Sequence, residues 1–150
     1  GRLGHGDGQN QLLPKKVEAL ADRRVVAVSA AGGHSLALTG DGAVWSWGDG
    51  YFGKLGHGDE QHQLLPKKTE GLAGQRVVDV SAGLCHSLAL TAEGDVWSWG
   101  VGWNGVLGHG DEQRHPLPKK MEAFAGQRVV AVSAGGYHSL AITAVWSWGD

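Results

Sequence analysis

Val44-Trp45-Ser46-Trp47-Gly48, running on to Leu55-Gly56-His57-Gly58-Asp59, decides how the chain is read, because almost every other segment is placed by its distance from it. The stretch recurs. Val96-Trp97-Ser98-Trp99-Gly100 leads to Leu107-Gly108-His109-Gly110-Asp111, and Val145-Trp146-Ser147-Trp148-Gly149 follows near the carboxyl end. His5, His57 and His109 are 52 residues apart, as are His34, His86 and His138. Between Leu55–Thr91 and Leu107–Thr143, 27 of 37 positions are identical, so the chain is a periodic array.

Working outward, each unit holds four apolar pieces separated by turn residues. Arg24–Ala30 is β-branched and apolar on both faces, the pattern of a strand buried on two sides. Gly32-Gly33 makes a turn, and His34–Thr39 then alternates large Leu36 and Leu38 with small Ser35 and Ala37. A sheet with one bulky and one small face suits stacking against copies of itself. Gly40-Asp41-Gly42 is a hairpin signal, and the next strand puts Trp45 and Trp47 on one face. Burying one such Trp removes about 200 Å² from water, about 5 kcal/mol gross as an upper bound. The fourth piece, Leu64–Glu70, matches Leu12–Glu18 and Pro116–Glu122; its Pro lacks a donor and its lysines discourage further pairing, which marks the outer edge strand. Val17–Ala21 carries helix-favouring residues, but its equivalent, Thr69–Gly74, has two glycines in six, so no helix is expected.

Four short antiparallel strands per 52 residues is the pattern of a β-propeller blade. The expected organisation is one all-β partial propeller: an outer strand at 12–20, blades at 24–72 and 76–124, and an incomplete blade at 128–150. Three blades fall below the four to eight of closed propellers, so sheet faces await cover by further blades, a second copy or neighbouring subunits. Thr143-Ala144-Val145 is three residues shorter than Thr91–Val96, so a break or an unpaired hairpin is expected at 143–145.

Composition narrows the function classes. The chain has 150 residues, 41% hydrophobic and 19% charged, which is globular, and no apolar run reaches the roughly 18 residues of a membrane helix. A net charge of −2 offers nucleic acid or anionic lipid no general attraction. The lone Cys85 allows no internal disulfide and fits a reducing, intracellular compartment. The 26 Gly and 7 Trp, against 2 Phe and 2 Tyr, fit many tight turns joining strands that carry a repeated Trp.

Together, the Val-Trp-Ser-Trp-Gly run, the Leu-Gly-His-Gly-Asp loop, the Pro-Lys-Lys-x-Glu strand and the Val-Ser-Ala-Gly-x-x-His-Ser-Leu-Ala-Leu-Thr hairpin resemble the repeat of the regulator of chromosome condensation family. The resemblance covers essentially all 150 residues. It implies a seven-bladed parent architecture, of which about three blades stand here. The family's roles differ widely: guanine-nucleotide exchange on the GTPase Ran, UV-B perception, β-lactamase inhibition, and accessory domains of large ubiquitin ligases. Fold alone therefore leaves function open.

Six of the eight histidines sit at two fixed repeat positions, and residues repeated in every blade are best explained by packing or turn hydrogen bonds. His34, His86 and His138, and the pairs Trp45/Trp47, Trp97/Trp99 and Trp146/Trp148, are read as structural. Asp7, Asp59 and Asp111 are expected to hold their turns through backbone amides. His62 and His115 lie near carboxylates, but no spacing matches a metal site, so neither metal nor cofactor is expected. No catalytic residue is assigned: Cys85 and His86 are strand neighbours that point to opposite faces, and no phosphate loop exists. In the UV-B receptor of the family, the chromophoric Trp precede the second-strand His. Gly32/Gly33, Leu84/Cys85 and Gly136/Tyr137 stand there instead, which argues against photoreception.

Subtracting one repeat from the next leaves three variable places: the residues before His34/His86/His138, the segments Gln9-Asn10/Gln61-His62/Gln113-Arg114, and Asp49–Lys54 against Val101–Val106. Aromatic loop residues on a rigid scaffold suit protein recognition. The candidate contacts are Tyr51, Phe52, Lys54, Trp103, Asn104 and Tyr137. The expected function is a protein-binding or scaffold module; the alternative is nucleotide exchange on a Ran-like small GTPase.

Overall fold

A computed structural model describes residues 1–143 and 145–150. Each repeat folds where the alternation and turn residues place it. The first blade is β1 (Val25–Ala30), β2 (His34–Thr39), β3 (Val44–Gly48) and β4 (Gln63–Lys68), paired antiparallel in that order. The second is β5 (Val77–Ala82), β6 (His86–Thr91), β7 (Val96–Gly100) and β8 (His115–Lys120). The third is a three-stranded sheet of β9 (Ala131–Ala134), β10 (His138–Ile142) and β11 (Val145–Gly149).

Blades stack bulky face to small face. Leu36, Leu38 and Val44 of the first blade pack with Val77, Val80, Ala82, Ala89 and Trp99 of the second. Leu88, Leu90 and Val96 repeat this against Val129 and Ala141, with Val132, Ala134 and Trp148 beside them. Polar bonds repeat as faithfully. The Trp47, Trp99 and Trp148 indole N–H groups donate to the carbonyls of Arg2, Lys54 and Val106 at 2.8, 2.9 and 2.7 Å. These tie each sheet to the loop before it. Gly4, Gly56 and Gly108 adopt φ of 77°, 80° and 73°, and a Cβ on any of them would lie within about 3 Å of the indole nitrogen it faces. Only glycine fits both demands.

Several expectations need correction. Short 3-10 turns form at Glu18–Leu20, Glu70–Leu72 and Glu122–Phe124, where no helix was expected. One i→i+3 bond suffices for such a turn, so nearby glycines that forbid a long helix do not prevent it. Each turn buries its Leu or Phe. Residues 12–20, read as an outer strand, form no strand before the turn at Glu18; β4 and β8 hold their extended form by pairing with a Trp-Ser-Trp strand, and 12–20 has none beside it. β1, read as buried on two sides, leaves Val28 73% exposed, because no sheet covers the face that β5 buries against the first blade; Val26, 50% exposed, lies on the other side, which stays open in every blade, as Val78 and Val130 show.

The break expected at 143–145 falls partly on Ala144, which lies outside the described residues. On either side, β10 and β11 pair in the usual register, with Ala141 opposite Trp146 as Ala37 is opposite Trp45. Ile142 pairs with Val145, so the expectation that the strands would be unpaired is not met.

Candidate protein-interaction face

Because each sheet is a meander, the β1–β2 turn and the β3–β4 loop leave from the same end. The three variable places of the sequence all lie in these connections, so they share one face of the blade stack. The opposite end carries the acidic-Gly hairpin turns of the first two units and the three 3-10 turns; the third unit departs there in sequence length, being three residues shorter between Thr143 and Val145.

Two loops dominate the variable face. In Asp49–Lys54 the chain turns through Tyr51–Gly53, with Phe52 at φ 64°; in Val101–Val106 it turns through Trp103–Gly105, with Asn104 at φ 55°. A positive φ is costly for Phe and tolerable for Asn, so the first loop needs strong anchoring. Lys54 supplies it. Its Nζ donates to Asp49 Oδ2 at 2.6 Å and to the Tyr51 carbonyl at 3.2 Å, and the side chain is only 2% exposed. Lys54 was a candidate partner contact; it is instead an internal bolt, because its ammonium finds two oxygens within its own loop. Burial tends to raise the Asp49 carboxyl, but the Lys54 bond, the Tyr51 amide and the charges of Lys54 and His62 outweigh it, leaving Asp49 below the ordinary value.

What remains outside is aromatic. Tyr51 is 57% exposed, Trp103 51% and Tyr137 48%, while Phe52 is half-buried, edge-on to Trp103 with ring centroids 4.9 Å apart. Asn104 is exposed, and its amide donates to Asp150 Oδ2 at 3.4 Å. Leu84, in the same turn of the second blade and one residue before the position that matches Tyr137, is exposed as well. His62 braces the first loop: Gly50 N–H donates to its Nδ1 at 3.0 Å, and Tyr51 meets its ring edge-on at 4.8 Å. Arg114 pairs with Glu60, linking variable segments of neighbouring repeats. A cleft of about 760 Å³ opens beside Tyr51 and His62, walled on its other side by Arg2, Asp7 and Gln9.

The repeated histidines serve the frame. Ser87 Oγ donates its only hydrogen to the Lys54 carbonyl at 2.9 Å, so His34 Nε2–H must be the donor in their 2.7 Å contact. Ser139, bonded to the Val106 carbonyl, fixes the same tautomer on His86 at 3.0 Å. Ser46 and Ser98 likewise receive His57 and His109, each at 2.9 Å. Burial, with the charges of Lys54 and His86, lowers His34 to about 3. Burial and His138 take His86 to about 4, and burial with Lys119 and His115 takes His109 to about 4. All three rings are therefore neutral near pH 7, as donation from a single N–H requires. Asp7, Asp59 and Asp111 accept the amides of Gln9, Gln61 and Gln113 at 3.0 Å, closing the glycine-rich turns. His138 and Trp146 break the pattern: His138 is exposed and Trp146 is 43% exposed. Among the described residues, no group of three or more His, Cys, Asp or Glu stands close enough to hold a metal ion.

A family model, the regulator of chromosome condensation (RCC1) repeat, matches residues 1–38, 41–90 and 93–142. The chain belongs to the RCC1 repeat family. Among curated proteins it is 44% identical over 155 aligned positions to the Homo sapiens E3 ubiquitin-protein ligase HERC2, covering all of this chain and 3% of that protein. It is 39% identical to the Arabidopsis thaliana ultraviolet-B receptor UVR8, covering 99% of this chain and 35% of the receptor. Among solved structures, Prp20p from Saccharomyces cerevisiae aligns with a TM-score of 0.72 at 26% identity, over 80% of this chain and 31% of that one. The chain thus spans about a third or less of each of these RCC1 relatives, and its three sheets are RCC1-type propeller blades. Among the described residues, no helix is long and apolar enough to cross a membrane.

Proposed function

We propose that this chain is a protein-interaction module that engages its partner through the face built by the β1–β2 turns and β3–β4 loops. One observation carries the reading: units that are otherwise nearly identical differ at that face, where Tyr51, Trp103 and Tyr137 stand exposed. Exposed aromatics on a braced scaffold lose little conformational freedom on binding, which is why such residues dominate interface energetics. The test compares the wild-type chain with a Tyr51→Ala/Trp103→Ala/Tyr137→Ala form and an opposite-face Glu93→Ala form as immobilised baits. A partner held by wild type and by Glu93→Ala, and weakened at least tenfold by the triple change, supports the reading. A partner indifferent to the triple change sinks it.

A second reading, nucleotide exchange on a Ran-like small GTPase, is favoured by the likeness to Prp20p, whose structure was described with its binding properties to Gsp1p and histones. Release of a fluorescent guanine nucleotide from such a GTPase, followed with and without the chain, decides it. Acceleration establishes exchange; an unchanged rate leaves the module as a binder.

A further inference from the structure

The first two units carry the same pair of cations at the end of the blades opposite the variable loops, and treat it differently. In the second unit Lys120 Nζ lies 2.8 Å from Asp95 Oδ2, and Arg128 Nη2 donates to the Ala92 carbonyl at 3.0 Å. Lys68 and Arg76 occupy the same two places in the first unit, but the residue that matches Asp95 is Ala43. Both cations are exposed, and among the described residues neither has a carboxylate within ion-pair distance. The first unit keeps the lysine and lacks its acid.

Space accompanies the charge. Thr69 and Leu72 stand where the second unit has the larger Met121 and Phe124. A notch of about 330 Å³ opens there between the two complete blades, lined by Asp41, Gly42, Lys68, Leu72, Gln75 and Arg76 among others. Its wall is fixed: the Val77 amide donates to the Gly42 carbonyl at 3.2 Å, and Gly42, at φ 84°, lets the hairpin approach so closely that a Cβ there would lie 3.1 Å from the Arg76 Cα. Arg76 is thereby held at the rim. Asp41 is the carboxylate among the lining residues, and its Oδ1 is engaged with its own hairpin, accepting the Thr39 hydroxyl and the Ala43 amide.

We propose that this notch binds a carboxylate side chain of an acidic partner segment, which takes beside Lys68 and Arg76 the place that Asp95 fills in the second unit. A guanidinium presents a planar fork that matches two carboxylate oxygens, and an ammonium adds a point charge with further donors. Carboxylate is the anion assigned because the same fold, one repeat later, holds one against the equivalent lysine. This site is independent of the loop-face reading, since the two lie at opposite ends of the blades.

Nitrogen-15 NMR of the 150-residue chain tests the proposal, with the Arg76 Nε–H and the Gly42 and Gly74 amides as reporters. Acetyl-triglutamate amide is added in one arm, acetyl-triglutamine amide in a second and inorganic phosphate in a third. Triglutamate is expected to move the reporters saturably, and triglutamine to leave them in place. Lys68→Gln and Arg76→Gln alter exposed side chains, so circular dichroism is expected to keep the wild-type strand signal, and each change is expected to weaken the peptide about tenfold. Ala43→Asp supplies the missing carboxylate within the chain and is expected to close the notch to the peptide. Absence of a saturable shift, equal shifts with triglutamine, or undiminished binding by Ala43→Asp overturns the site. Equal shifts at the exposed Arg24 and Arg128 would reduce the effect to general charge attraction and overturn it as well. Tighter binding of phosphate than of triglutamate rules out the carboxylate assignment.

Discussion

The loops Asp49–Lys54 and Val101–Val106 reach the same shape by opposite chemistry. Each leaves a Trp-Ser-Trp-Gly strand, turns through a left-handed residue and returns a backbone carbonyl, from Lys54 or Val106, to the indole of the next blade. The first is closed by an ion pair that is buried on the lysine side. The second is closed by Val101 and Val106, 3% and 1% exposed, packed with Leu107. The geometry belongs to the repeat, and the side chains only have to fill it. Their difference is electrostatic: the first loop places a cation near His34, and Val106 places none near His86.

The largest effect expected from this contrast is that of Asp49→Ala. Removing the carboxylate strands a buried ammonium, which costs about 3 kcal/mol; in a thermal melt that is a fall of about 10 °C, at about 2–4 °C per kcal/mol for a chain of this size. Val101→Ala removes two buried methyl groups and is expected to cost about half as much. Equal losses would show that the ion pair does no more than fill space.

Acid comes next. His34 and His86 have folded-state values below the unfolded 6.5, so the unfolded chain binds more protons below that pH, and stability is lost as pH falls toward 4. His34 alone contributes up to roughly 3 kcal/mol of that loss at pH 4. Denaturant midpoints measured from pH 7 to 4 are expected to fall; a flat profile contradicts neutral buried rings. Asp49, held below its ordinary value, works in the same direction, its share being lost as pH falls through the carboxylate range.

The double change Asp49→Val/Lys54→Val transplants the second loop's solution into the first. Replacing a buried pair by apolar groups is neutral or stabilising by about 1–4 kcal/mol, so the double variant is expected to melt no lower than wild type. A loss as large as that of Asp49→Ala would break the equivalence of the loops. In a histidine-resolved NMR titration, His34 of this variant is expected to move up from about 3 toward the His86 value of about 4, since the Lys54 charge is gone. The smallest effect is at the left-handed residue: Asn104→Gly is expected to be neutral and Asn104→Ala to cost about 1 kcal/mol. Equal melts for the two would show that φ at that position relaxes.

Much of this was legible because the repeat acts as its own control. Two-residue alternation placed β2, β3 and their equivalents, and the glycine-bounded turns placed the hairpins. The loops that carry Tyr51, Trp103 and Tyr137 emerged by subtracting repeats. Lys54 was misjudged because a lysine in a polar loop looks solvent-seeking, and only the fold shows that Asp49 and the Tyr51 carbonyl converge on its ammonium. The 3-10 turns at Glu18, Glu70 and Glu122 were missed because one turn of three residues leaves too short a period to detect. The exposure of β1 was missed because β-branched residues stand on both of its sides, whereas one side, that of Val26, Val78 and Val130, stays open in every blade and the other is buried only where a neighbouring blade lies against it.

The sequence by itself determined the periodic unit, its four-strand alternation, the family and the places where units differ, because these depend on local pleat, turn chemistry and identity between repeats. Tertiary structure decided which histidine tautomer is held, which lysine is buried, and that the variable loops share one face. It also decided that Val28, His138 and Ile142 remain uncovered. Each of these depends on what another blade presents at the same point, and a 52-residue period repeated along one chain does not say which of its faces will find a neighbour.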